Sequence, residues 1–375
     1  MISYLDNSAT TRPADAVVEA MAQCMREGYF NPSSLYAPAV QAEKRLAACR
    51  EAILSSLQAR EHFCLFTSGG TEANNLAILG SVAAMRGAPP LAVGTTEHPS
   101  VLAPFEHLQS LGYPVQRIPV TSEGEVNYAQ FHLAEDTALV SFMQVNNETG
   151  ALLNVERFAA AVRAMAPNAL IHIDGVQGYL RVPLSLKNVD MYTLSGHKLH
   201  GPKGIGALVV RKGVRLLPRQ MGGGQERDLR SGTENTPGIA GLHAAIEAMR
   251  QADLSALRKK KDALYEAILA AVPEALRNGP ALGAPHILNM SFPGVRGEVL
   301  LHALEEKGVY VSTGSACSSK KRKVSAVLTA MAMEPDRAES ALRFSLSPYT
   351  TMDEIAYAAQ ALGELYPVLR RFRRK

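Results

Sequence analysis

Four cysteines are all that the 375-residue sequence contains, Cys24, Cys49, Cys64 and Cys317, in unlike surroundings and with no C-x-x-C pair. That pattern excludes a disulfide framework and a structural zinc site, so no metal is expected and a conspicuous cysteine must be judged as a thiol. Long apolar runs are also missing. Nothing approaches the roughly 18 apolar residues of a membrane span, and the opening MISYLDNSATTRPADA has no basic segment leading into an apolar one. The expectation is a cytoplasmic chain with no membrane partner. An excess of one charge is lacking too, since the formal net charge is only +4. No direct nucleic-acid contact is expected from so small an imbalance, despite the short basic patches KKRK and RRFRRK. Internal repeats and low-complexity tracts are absent. What is there, 47% hydrophobic and 20% charged residues, suits one large domain and a smaller one.

Between about residues 60 and 210, short apolar runs alternate with helix-like stretches: FCLF, PLAVG, ALVSFM, LIHID, VDMYTLS and GIGALVVRK. This is the pattern of an α/β fold with a mostly parallel sheet covered by helices on both faces. Ligands bind such sheets beyond the carboxyl ends of the strands. The polar clusters Ser68 to Asn75, Glu97 and His98, Asn146 to Thr149, Asp174 to Gln177, and Ser195 to Lys198 each follow one of these runs, which converges them on one edge. The segment after Ala37 has helical spacing through Val40, Leu46, Ile53 and Leu57, an amphipathic helix with Cys49 buried on it. From Leu254 the texture changes to charged helices and short strands, a smaller α/β domain. The expected division is 13–253 for a large domain, with 1–12 and 254–375 forming the small one.

TSGGTEANN leads from an apolar run into a helix, and a glycine turn at a helix N-terminus offers free N–H groups to a phosphate. Lys198 stands at a strand end in SGHKLHGPKG, and Asp174 closes the strand run IHID. An aldehyde cofactor on a pyridine ring needs an amine for its Schiff base, an acid partner for its ring nitrogen and a phosphate cradle. Lys198, Asp174 and the Ser68 to Thr71 turn supply those three parts. The combination is more specific than any one of them.

With these residues in view, the sequence resembles the fold-type-I pyridoxal-phosphate enzymes, and among them the cysteine desulfurases of the NifS/IscS type. The matching stretches are YLDNSATT, NPSSLY, TSGGTEANN, TEHPSV, VNNETG, HIDGVQG, SGHKLHGPKG, GGGQERDLRSGTEN, STGSACSS and LRFSLS, in the family's order from residue 4 to about 350. The resemblance implies pyridoxal 5'-phosphate carried on Lys198, with Asp174 on the ring nitrogen and Gln177 on the ring hydroxyl. It implies His98 stacked on the ring and relaying protons, and Gly70, Thr71, Ser195 and His197 on the phosphate. Asn147 would lie near the ring and substrate, while Arg343, helped by Asn31, would bind the substrate carboxylate. Thr233 would reach the phosphate of the neighbouring subunit, which implies a homodimer.

Cys317 lies in STGSACSSKKRK, a run of small and polar residues that cannot form a packed core and reads as a loop. The resemblance makes it the nucleophile that takes sulfur from L-cysteine as a persulfide, leaves L-alanine, and passes the sulfur to an acceptor protein of iron–sulfur assembly or of tRNA or cofactor thiolation. Lys320, Lys321, Arg322 and Lys323 follow it, and they read equally well as a solvated face or as charges favouring the thiolate. The alternatives are another aminotransferase or lyase on the same fold, which would have no use for Cys317, and a selenocysteine lyase, which a comparison of substrates separates.

Overall fold

The computed structural model describes residues 1–314 and 324–371. Cys317 and the Lys320 to Lys323 run, together with the last four residues, lie outside the described residues.

Twelve strands are present among the described residues: β1 (Ser3–Tyr4), β2 (His62–Thr67), β3 (Leu91–Gly94), β4 (Val115–Ile118), β5 (Leu139–Met143), β6 (Leu170–Asp174), β7 (Met191–Ser195), β8 (Gly206–Arg211), β9 (Leu276–Asn278), β10 (Ile287–Ser291), β11 (Val309–Tyr310) and β12 (Ala341–Ser345). Seven form one sheet in the order β2-β8-β7-β6-β5-β3-β4. All its pairings are parallel except those of β8, which runs against both β2 and β7. The sheet is thus mostly parallel, as the continuous apolar runs predict. Strands β3, β5 and β7 are buried at every residue, because helices cover both sheet faces.

Alternation along the strands divides the core in two. Cys64, Phe66, Val140 and Phe142 face a cluster with Leu46, Ile53 and Phe158, whereas Leu65 and Leu139 face one with Leu76, Val101 and Phe105. The Ala37–Ser56 helix buries Leu46, Cys49 and Ile53 as its spacing predicts. Val40 departs from that expectation: it is 41% exposed, since it sits one turn from the helix start, before the helix meets the sheet.

A third core cluster gathers residues after 254, including Leu257, Leu288, Phe292, Phe344 and Leu362. It lies around the antiparallel sheet β12-β10-β9 and the helices Leu254–Ala271, Gly297–Glu306 and Met352–Arg370. The chain's beginning belongs to the same cluster. Strand β1 pairs in parallel with β11, and Leu5 is fully buried there.

Because β2, β3, β5, β6 and β7 point one way, their carboxyl ends share an edge. Gly206, the first residue of the reversed β8, pairs there with both Thr67 and Ser195.

Candidate active site

Asp174 is the last residue of β6 and is 5% exposed. Its Oδ2 accepts from Asn74 Nδ2 at 2.8 Å and its Oδ1 from the Val176 N–H at 3.0 Å. Two neutral donors leave lone pairs on this buried carboxylate for a cationic N–H. The turn beyond it is shaped by glycine. A Cβ on Gly175 would stand 1.9 Å from Tyr192 Cζ, and one on Gly178 would stand 2.1 Å from Gln144 Oε1. Tyr192 donates to Gln144 Oε1 at 2.7 Å, so the DGVQG turn closes over that pair. Glu97 is buried beside Asp174, and burial first, with the Asp174 charge second, pushes its carboxyl well above the usual range.

Lys198 follows Ser195 on a single tight turn over Gly196–Lys198. Its Nζ donates to the carbonyls of Ser8 at 2.5 Å and Ala9 at 2.7 Å. Gln177 donates to the same Ser8 carbonyl at 2.9 Å, which brings lysine and glutamine to one point. Buried Arg181 donates to the Lys198 carbonyl and, at 3.4 Å, to Gln177 Oε1. Burial lowers its guanidinium to about 10.

The Ser68 to Thr71 turn enters a helix over Gly70–Asn75 that continues through a π turn at Leu76–Gly80. Its N-cap is Gly69 and no side chain caps it. Ser195 packs against this turn: a Cβ on Gly70 would lie 3.6 Å from Ser195 Cβ and only 2.7 Å from Val176 Cγ2. Glycine is required there for the backbone to approach so closely. An uncapped helix N-terminus, with its N–H groups and positive dipole end, suits an anion. His197 stands on the next turn, its ring against Thr10 Oγ1 at 3.2 Å. Burial first, then the charges of Lys198, Lys203 and Arg181, hold His197 down to about 4, so the imidazole is neutral.

His98 is the N-cap of the Pro99–Ser110 helix, its Nδ1 accepting from the Ser100 N–H at 3.1 Å. Burial lowers its pKa, with the Asp174 charge opposing this and the Lys198 charge adding to it.

Arg343, on β12, is 4% exposed. It donates to the Asn147 carbonyl at 2.9 Å and to Asp6 Oδ1 at 2.7 Å, while its buried Nε has no partner among the described residues. The half-buried Asn147 therefore stands at this guanidinium. Asn31 and Thr233 are exposed, and among the described residues no hydrogen bond joins either to this cluster. Asn31 Oδ1 accepts only locally, from the Ser33 N–H at 3.0 Å.

The N-terminal strap ties these parts together. Asn7 and Ser8 bond to Ser345 of β12, Asp6 to Arg343, Ser8 and Ala9 to Lys198, and Thr11 to the His197 carbonyl. Asp6, Asn74, Ser100 and Arg181 were not singled out by sequence. For Asp6, Asn74 and Ser100 the only available signal was their place inside motifs chosen for a neighbour.

The residues present fit pyridoxal phosphate. A buried carboxylate with unused lone pairs, an amine at a strand end and an uncapped, glycine-lined helix start match the ring nitrogen, aldehyde and phosphate respectively. Among the described residues, no cluster of His, Cys, Asp and Glu is placed to hold a metal, and no helix is long and apolar enough to cross a membrane.

Comparison with known proteins agrees. The Aminotransferase class-V family matches residues 3–357. A cysteine desulfurase of Cereibacter sphaeroides is 41% identical over 374 residues, covering 98% of this chain and 96% of that protein. Cysteine desulfurase 2 of Trichormus variabilis is 39% identical over 380 residues, covering 99% of this chain and 94% of its own length. A solved NifS-like protein superposes with a TM-score of 0.91 at 35% identity, covering 98% of this chain and all of that one. The chain belongs to the class-V aminotransferases, pyridoxal-phosphate enzymes of fold type I, and within them to the cysteine desulfurase group. Pyridoxal 5'-phosphate is accordingly its cofactor.

Proposed function

We propose that the chain takes sulfur from L-cysteine, releases L-alanine, and holds the sulfur as a persulfide on Cys317 for transfer to an acceptor protein of iron–sulfur assembly or thiolation. The observation that carries the persulfide assignment is the burial of every other thiol. Cys24, Cys49 and Cys64 are 5%, 0% and 3% exposed. Burial pushes the Cys49 thiol up to about 12 and Cys64 well above its ordinary value. The thiolate is the nucleophile, so these two are inert and Cys24 is out of reach, which leaves Cys317.

Bound pyridoxal phosphate supplies the electron sink for carbanion chemistry at the substrate Cα. Lys198 carries it, Asp174 pairs with its ring nitrogen, and Gln177 bonds its hydroxyl. Gly70, Thr71, Ser195 and His197 hold the phosphate, joined by Thr233 of a second copy in a homodimer. Arg343, assisted by Asn31 and Asn147, orients the substrate carboxylate through donors matched to two oxygens. Lys198 moves the proton at the substrate carbon and His98 assists it. The Cys317 sulfur then attacks the substrate sulfur, the carbon–sulfur bond breaks, and the carbon takes a proton to give alanine. Separate cores support assigning 13–253 to a cofactor-binding domain and 1–12 with 254–375 to a small one. We place the enzyme in the cytoplasm.

The test is mass spectrometry of peptides after brief exposure to L-cysteine. An added sulfur on the Cys317 peptide, and loss of alanine release in Cys317→Ser with the cofactor still bound, is the expected result. Sulfur on the Cys24, Cys49 or Cys64 peptide, or turnover unchanged in the serine variant, would overturn the assignment.

A further inference from the structure

Asn74 is fully buried, and its amide nitrogen uses both hydrogens: one bonds Asp174 Oδ2 at 2.8 Å, the other Ser100 Oγ at 2.9 Å. The direction of these bonds is fixed by chemistry. A carboxylate only accepts, so the amide must present its nitrogen there, and the amide oxygen is left buried with no partner among the described residues. Turned over, Asn74 would aim that oxygen at the carboxylate.

The consequence passes along the chain of bonds. Ser100 Oγ receives a hydrogen from Asn74, and its own hydroxyl hydrogen is then available to His98 Nδ1, 2.8 Å away. The Ser100 backbone N–H points at the same nitrogen from 3.1 Å. A ring nitrogen receiving two donors carries a lone pair and no hydrogen. We propose that Asn74 and Ser100 are positioning residues that hold resting His98 as the neutral imidazole protonated on Nε2, so that it offers the site an N–H and not a base.

Electrostatics around His98 points the same way. Burial and the Lys198 cation disfavour the imidazolium, and only Asp174, at the end of β6, opposes them. Protonating Nδ1 would also require both Ser100 donors to turn away. A neutral histidine kept as an N–H donor is an established way to polarise a substrate at a catalytic centre. The inference rests on the reading of His98 as part of the active site.

Nitrogen-15 NMR of histidine-labelled enzyme, with and without pyridoxal phosphate, tests it, with His98→Gln identifying the resonances. The expected result between about pH 6 and about 8 is a bare Nδ1 and a protonated Nε2. In Asn74→Ala and Ser100→Ala the Ser100 backbone N–H still reaches Nδ1, so the other tautomer should appear alongside the wild-type one, and kcat should fall about tenfold while KM for cysteine moves less than about twofold. A hydrogen on Nδ1 in the wild type, or both variants keeping the wild-type tautomer and kcat, overturns the proposal. The wild-type spectrum decides even if a variant fails to fold. Undiminished turnover in His98→Gln removes the catalytic reading of His98 and leaves the tautomer assignment standing, because the nitrogen shifts do not depend on turnover.

Discussion

Asp174 takes one of its hydrogen bonds from a residue exactly one hundred positions earlier in the chain, Asn74. Its place at a strand end was legible from the alternating IHID run, because that pattern marks where the strand stops. Asn74 was not legible, since its role depends on which way a buried amide turns. The same holds for Arg181, whose contact with the Lys198 carbonyl exists only once two turns of the sheet edge are brought together. Asp174→Asn should fold and bind cofactor yet lose most turnover, because an amide no longer favours a protonated ring nitrogen. Wild-type kcat at full cofactor occupancy would contradict this. Arg343→Lys should raise KM for cysteine at least about tenfold with a smaller change in kcat, since a point ammonium cannot reproduce the two-point grip on a carboxylate. Steady-state kinetics separates the two constants.

At the level of elements, the strands were readable wherever burial on both faces produced an unbroken apolar run. Strand β4 was missed because VQRI sits at the sheet edge, where only Ile118 is buried and Gln116 is exposed, so no continuous apolar run marks it. The reversal of β8 was equally hidden, since a buried antiparallel strand carries the same apolar signature as a parallel one. The turn after β6 illustrates a constraint that sequence shows only as a letter. Gly175 is there because Tyr192 fills the space a side chain would need. Gly175→Ala should therefore cost about 1–3 kcal/mol through overpacking and displace the Tyr192 to Gln144 hydrogen bond. A urea midpoint equal to wild type would show that the turn has slack.

For the whole molecule, buried neutral histidines set the response to acid. Burial holds His172, His197 and His200 down to about 4 and places His286 well below its ordinary value. Unfolded histidine titrates near 6.5. Between those values the unfolded chain binds more protons than the folded one, so stability falls as pH drops from about 6.5 towards 4, by about 1.4 kcal/mol per pH unit for each such histidine. Urea denaturation at several pH values should show this slope. His172→Asn should flatten it by one proton, because its ring bonds to neutral Ser141 and Thr193 inside the sheet and the Asp174 charge offsets only part of the burial.

The strap of residues 3–14 carries a mechanical consequence. One end is woven into β11 and β12 and buries Leu5 in the core of the later residues, while the other holds Lys198, His197 and His200. Between these moorings lies only the hydrogen-bonded turn of residues 7–9, and Ser8 itself bonds both Ser345 and Lys198, so there is little chain to absorb a displacement. Any movement of β12 when a carboxylate engages Arg343 is thereby transmitted to the carbonyls that grip the Lys198 amine. The first dozen residues act as a tie rod, making occupancy of the substrate arginine and alignment of the lysine one mechanical event.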